Sequence, residues 1–292
     1  MNDRYGVDPC AASTALELAF LRRQFGPEHG RFIVNFPSDW HAHVGMQYPG
    51  AGDIERARLT ELLRRAKRSL LPTNTRYSSA LPWVKNAEHL KEVQGLIGPI
   101  GSKPPCRAVA DVLSDPDALP DCRGGHIPRT PVAYADVARP LFQISTKVVL
   151  IDPYFQLRYR DKYSQQTRSA DRYVRSLKAL IRAAQAEKVE IFKLMVTAGQ
   201  AMIDVDDGKV FEADLAAILS DVGGSDIVIE YGLLDKEHSL DRHPRYLLGN
   251  ECGLKFDWGL DVRNDNSTNH VEWMGRAALT PLIDRFMQAV AL

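Results

Sequence analysis

One stretch of the chain concentrates side chains that could do chemistry. His243-Pro244-Arg245 runs through Tyr246-Leu247-Leu248-Gly249 to Asn250, and on past Lys255 into Gly259-Leu260-Asp261. A histidine can attack or relay a proton, and an arginine two residues on is a fixed cation with a planar fork of donors. An asparagine seven residues after the histidine adds a short polar group. Together these are what a site for a phosphate or phosphodiester would use. The bland alternative is a strand histidine satisfied by backbone, with Arg245 in an ordinary ion pair.

The elements around this stretch decide between the two. Its apolar residues and Gly turn predict two short strands joined by a tight connection. Upstream, Lys147-Val148-Val149-Leu150-Ile151 is a continuous apolar run, the mark of a strand buried on both faces, and it ends at Asp152-Pro153-Tyr154-Phe155. A helix capped by Ser169 follows, with Tyr173, Val174, Leu177, Leu180, Ile181 and Ala184 on its core face. Val189 to Val196 is the next strand. A helix starting at Asp206 or Asp207 and closed by Gly223-Gly224 comes after it, then a strand from Asp226 to Leu234. This strand-helix alternation predicts an α/β fold with a largely parallel sheet and helices on both faces, and a last helix from Thr280 to Val290 behind it.

Residues 1–128 read as a separate, mixed α/β domain, and residues 129–292 as the second domain. The first thirty residues read as a helix. Arg31 to Phe36 reads as a strand and Asp53 to Leu70 as a helix with a basic outer face that could meet a polyanion. A shorter helix is expected from Asn86 to Leu96. The proline-rich stretch 99–131 reads as loop with at most one strand, Arg107 to Leu113.

With these elements in place, His243-x-Arg245-x4-Asn250 resembles the HxKx4D signature of the phospholipase D superfamily, and the βαβαβ prelude and Gly259-Leu260-Asp261 resemble its fold. The likeness is closer still to degenerate single-motif members, such as the C-terminal domain of MIT-domain proteins and bacterial relatives in multi-gene antiviral defence systems. It covers about residues 130–292. The resemblance implies phosphoryl transfer through a phosphohistidine without metal or other cofactor. His243 would be nucleophile or acid, Arg245 would clamp the phosphate, and Asn250 would stand where an acidic residue usually stands. Asp152, Tyr154, Lys255 and Asp261 would line the pocket. With Asn for Asp and no second motif, the resemblance implies a binding component for nucleic acid or another phosphodiester, or for a protein partner. The alternative it leaves is a homodimeric phosphodiesterase or nuclease that completes a two-histidine site across the dimer.

The loop Arg158-Tyr159-Arg160-Asp161-Lys162-Tyr163 follows the first buried strand at its carboxyl end, where α/β sites lie. Arg158 and Arg160 could hold a phosphate backbone while the tyrosines stack on bases; a mobile surface loop is the plainer expectation. Composition constrains the partner. Lysine plus arginine (37) equals aspartate plus glutamate (37), so any basic surface must be local. No apolar run is long enough to span a bilayer. The first residues lack the order of a signal peptide, and Cys10, Cys106, Cys122 and Cys252 form no CxxC pair, so a cytoplasmic protein with reduced thiols is expected. His41 with His43, and Cys106 with Cys122 and His126, have spacings that do not favour a metal site.

Overall fold

The structure, a computed structural model, describes residues 2–50, 52–115, 119–161, 163–164, 166–197, 208–223, 226–234 and 245–287. His243 therefore lies outside the described residues, as do the expected helix starts at Asp206 and Asp207. The chain divides into two units, Met1–Arg123 and Gly124–Leu292.

The first unit is built on a four-stranded parallel sheet of β1 (Asp3–Val7), β2 (Arg31–Ile33), β3 (Gly95–Gly98) and β4 (Cys106–Ala108), in the order β2-β1-β3-β4. Its helices are α1 (Ala15–Gln24), α2 (Trp40–Gly45), α3 (Asp53–Lys67), α4 (Trp83–Ala87) and α5 (Val109–Ser114). Successive strand residues face opposite sides. Val7, Ile33 and Ile97 thus meet α1, α2 and α3 in one core, while Val34 and Leu96 meet Trp83 and Ala87 of α4 in another. Gly6 allows this second layer to close, because a β-carbon there would lie 2.7 Å from Leu96 Cδ2 and 3.0 Å from Leu90 Cδ1.

Several expectations fail in this unit. The first thirty residues hold the sheet's inner strand β1 before α1. Residues 86–96 hold the end of a short helix and the start of β3. Val109 to Leu113 is helix where strand was expected. The first of these has a physical cause: Asp3-Arg4-Tyr5-Gly6-Val7 has no apolar run of its own and becomes a strand because β2 and β3 flank it.

The second unit carries a seven-stranded sheet. Its strands are β5 (Gly124–Pro128), β6 (Lys147–Ile151), β9 (Ile191–Thr197), β10 (Val228–Leu234), β11 (Arg245–Leu248), β12 (Cys252–Phe256) and β13 (Thr268–Gly275), in the order β10-β9-β6-β11-β12-β13-β5. The α/β class is as expected, but the sheet is mixed. β10, β9 and β6 are parallel, and from β11 to β5 every pairing is antiparallel. β5, expected as loop, closes the edge against β13, so the unit begins at Gly124 instead of 129.

Helix α6 (Pro131–Gln143) packs on α7 (Asp171–Ala186) and reaches β12, where Tyr134 meets Phe256; α8 (Gly208–Val222) follows β9, and α9 (Arg276–Met287) follows β13. The core face of α7 is Leu177, Leu180, Ile181 and Ala184, as its periodicity predicts, but its cap position is Ala170, not Ser169, and makes no side-chain capping bond. The opposite sheet face is covered by α9, where Leu279 packs with Ile151, Met195, Leu234 and Leu248. Between β6 and α7 the expected mobile loop is a two-stranded ribbon, β7 (Arg158–Arg160) with β8 (Thr167–Ser169). Asp161 fixes its turn by accepting from Tyr163 N, Ser164 N and Ser164 Oγ.

Candidate functional site

The site lies at the carboxyl end of β6, where the chain leaves for β9 on one side and receives β11 on the other. Open α/β sheets bind ligands at such reversals of strand order. Asp152 is the first residue beyond the strand and is 0% exposed. Its Oδ1 accepts from Tyr154 N at 3.0 Å, and its Oδ2 makes no hydrogen bond. Burial pushes its carboxyl above the usual carboxylate range; the Arg245 charge and the Tyr154 amide pull the other way.

Arg245 enters from the start of β11, on the sheet face that Asp152 occupies, and is 8% exposed. Its Nε is 3.6 Å from Asp152 Oδ1, its Nη1 donates to the Asp257 carbonyl at 3.2 Å, and its guanidinium sits 4.9 Å from the Tyr154 ring centroid. Tyr173 of α7 stands beside this pair. Burial is the main reason its hydroxyl is held above the usual tyrosine value, with the Asp152 and Asp261 charges adding to it, so it stays protonated as a donor. Gly259 lets the β12–β13 loop approach, since a β-carbon there would lie 3.1 Å from Tyr173 Oη.

Asp261 forms a second centre. It is 6% exposed and ion-pairs through Oδ1 with Arg129 Nη2, itself 6% exposed. Its Oδ2 faces Arg263 Nε at 3.3 Å and Arg172 Nη1 at 3.8 Å. The loop carrying Asp261 is tied at several points. Val262 N donates to the Arg172 carbonyl at 3.1 Å and Arg263 N to the Arg129 carbonyl at 3.0 Å. Buried Asn269 accepts from Trp258 N at 3.0 Å and donates to the Trp258 carbonyl at 3.1 Å. Ser176 Oγ donates to the Leu260 carbonyl.

The structure thus brings together Asp152, Tyr154, Arg245 and, beside them, Asp261. It does not bring in the other expected residues. β11 runs antiparallel to β6, so Asn250 lies about five residues, or roughly 17 Å, along the strand from Arg245. There its Oδ1 accepts from Thr146 N and Lys147 N at 3.2 and 3.3 Å, which fastens the start of β6. Lys255 pairs in register with Tyr246 and Glu272, on the face that carries α9 and away from Arg245; its Nζ is 4.0 Å from Glu272 Oε2. Arg158 forks onto Asp214 of α8 at 2.6 and 2.7 Å and anchors the ribbon there. Arg160 is exposed on β7, near the turn where Tyr163 is 97% exposed.

Arg129, Tyr173, Arg172, Arg175 and Arg263 were not expected at the site. One signal was present: Arg172, Arg175 and Lys178 repeat every third residue on one helix, a cationic stripe on the side away from Leu177, Leu180 and Ile181. Among the described residues no group of three or more His, Cys, Asp or Glu side chains is arranged to hold a metal ion. Nor is any helix long and apolar enough to cross a membrane. In the first unit His43 Nε2 pairs with Asp39 at 3.1 Å, and Glu61 engages Arg64 and Arg65 on the basic face of α3.

No family model matches the chain, and no curated protein does. Among solved structures it is similar to the archaeal chromatin protein TrmBL2, whose structure is described as showing a novel mode of DNA binding. The two are 14% identical with a TM-score of 0.29, over 61% of this chain and 57% of that one. The chain therefore spans little more than half of that protein, and a likeness at this TM-score carries no argument here.

Proposed function

We propose that the second unit is a phospholipase D-like binding module that holds a phosphate-bearing partner, a nucleic acid, without processing it. The observation that carries this reading is the position of Arg245. The cation that the motif would offer to phosphoryl oxygens is buried against Asp152, the Asp257 carbonyl and the Tyr154 ring. A clamp held this way is part of the fold, and Asn250 supports the start of β6 instead of orienting an imidazole.

The local basic surface that a neutral chain requires is supplied nearby. Arg158, Arg160, Lys162, Arg168, Arg172, Arg175 and Lys178 fall within one segment of sequence whose acids are Asp161 and Asp171, and of these cations Arg158 is taken by Asp214 and Lys178 by Asp221. A ribbon with exposed arginines and the tyrosines Tyr159 and Tyr163 can follow a phosphate backbone while offering ring faces to bases. By the same resemblance, such a module serves as one component of a larger assembly.

The test pairs binding with turnover. Fluorescence anisotropy with a labelled single-stranded oligonucleotide should show salt-sensitive binding, with a log–log slope of about −2 if roughly three phosphates are neutralised. In EDTA, wild type and His243→Ala should be equally inactive on phosphodiesters. EDTA-resistant hydrolysis that His243→Ala abolishes would overturn the reading in favour of a homodimeric phosphodiesterase.

A further inference from the structure

Arg172 and Arg175 of α7 and Arg263 of the β12–β13 loop wall an open cleft of about 310 Å³, completed by Val262, Asn264 and Asp265. Three facts make this more than a scatter of surface charge. First, the walls are fixed to each other by the Val262 N to Arg172 carbonyl bond, and Arg263 N is bonded to the Arg129 carbonyl. Second, the guanidiniums of Arg129, Arg172 and Arg263 share one carboxylate. Asp261 already has buried Arg129 on Oδ1, and it meets Arg172 only at 3.8 Å, beyond hydrogen-bonding distance. Third, Arg175 is exposed and makes no ion pair or hydrogen bond among the described residues.

The charges do not cancel. Arg172, Arg175 and Arg263 line the cleft against Asp265, and Asp261 behind it is matched by Arg129, which leaves two positive charges at one cleft. Asp171, at the start of α7, is outside the lining. Like charges held this close repel unless an anion joins them. We infer that the cleft seats a phosphate monoester, the phosphorylated end of a polynucleotide, with the guanidiniums of Arg172, Arg175 and Arg263 donating to its oxygens. A monoester near neutral pH carries about the −1.5 to −2 charge that the cleft lacks, whereas an internal diester carries only one negative charge. Guanidiniums also match phosphate oxygens in forked geometry. The inference rests on the reading of this unit as a binder of phosphate-bearing partners.

The experiment compares two labelled single strands of one sequence, one ending in a 5′-phosphate and one in a 5′-hydroxyl, bound to the full chain. Wild type is expected to prefer the phosphorylated strand by about tenfold, the scale of one or two charge-assisted hydrogen bonds. Arg172→Ala/Arg175→Ala should erase the preference. Arg160→Ala on the ribbon should weaken both strands alike and leave their ratio intact. Asp265→Asn should tighten the phosphorylated strand severalfold, a gain that misfolding cannot imitate. Equal binding of the two strands by wild type overturns the monoester assignment, and an unchanged ratio in Arg172→Ala/Arg175→Ala overturns the cleft; in both cases the nucleic-acid reading survives. Failure of wild type to bind either strand overturns that reading and the inference with it.

Discussion

The buried pair of Arg129 and Asp261 should respond unequally to loss of its two members, because Asp261 has two further cations beside it, whereas among the described residues Arg129 has no second carboxylate within ion-pair distance, only the Tyr134 hydroxyl. Asp261→Asn strands a guanidinium that is 6% exposed and whose Nε makes no hydrogen bond. Removing one side of a buried ion pair costs about 3–5 kcal/mol. Arg129→Met keeps the length and apolar volume of the side chain and leaves Asp261 facing Arg263 Nε at 3.3 Å and Arg172 Nη1 at 3.8 Å. Those two side chains are 44% and 67% exposed, so each compensates at the surface value of up to about 1 kcal/mol. The expected cost of Arg129→Met is therefore about 1–3 kcal/mol, some 2 kcal/mol less than that of Asp261→Asn.

Native-state hydrogen exchange of the β11, β12 and β13 amides reads this unit alone in the intact chain. A gap of about 2 kcal/mol appears there as a roughly thirtyfold difference in exchange rate between the two variants. The double variant should cost less than the sum of the singles, as for any pair in contact. If Arg129→Met proves as damaging as Asp261→Asn, the three-way sharing of Asp261 is wrong. The arginines of the neighbouring cleft would then not depend on Asp261 for their compensation.

Three further outcomes follow from the same geometry. Asp152 has a folded pKa above its unfolded value, so its contribution to stability is complete below the ordinary carboxylate range and is lost as pH rises through the folded value. Urea midpoints measured from about pH 4 to pH 8 should fall more steeply for wild type than for Asp152→Asn, and parallel curves would contradict the burial argument. Asn250→Ala removes the acceptor for Thr146 N and Lys147 N and should cost about 1–2 kcal/mol in urea unfolding, while oligonucleotide affinity changes less than about twofold. A large loss of binding would return Asn250 to the site. Gly253→Ala places a β-carbon 2.8 Å from Leu279 Cδ2 and 3.2 Å from the Leu247 carbonyl oxygen, and should lower stability by about 1–3 kcal/mol, read as a drop in Tm. An unchanged Tm would mean that α9 sits further from β12 than described.

The two halves of the chain differ in how much of them the sequence reveals. Lys147–Ile151 is legible as a strand because both its faces are buried and every position is therefore under the same demand except its exposed first residue. The core face of α7 is legible because one helix face alone is buried and the 3.6-residue period shows. Asp152 and Arg245 are legible as neighbours once β6 and the motif strand are assigned to one sheet. By contrast, β13 and β5 are edge-side strands with polar alternation, and they take their form from pairing with β12 and with each other.

By itself, then, the sequence determined the α/β class, the strand that carries Asp152, and a basic, tyrosine-bearing segment in a chain of zero net charge. Those are properties of local order, period and composition. Tertiary structure decided the rest, because pairing direction and long-range contact have no local signature. The antiparallel run of β11 against β6 carried Asn250 away from Arg245, and strand alternation put Lys255 on the other face. The bidentate bond to Asp214, on a helix four elements later, took Arg158 out of the pocket. Arg129, Arg172 and Arg263 come from three separate segments, and they meet only where folding buries Asp261 among them.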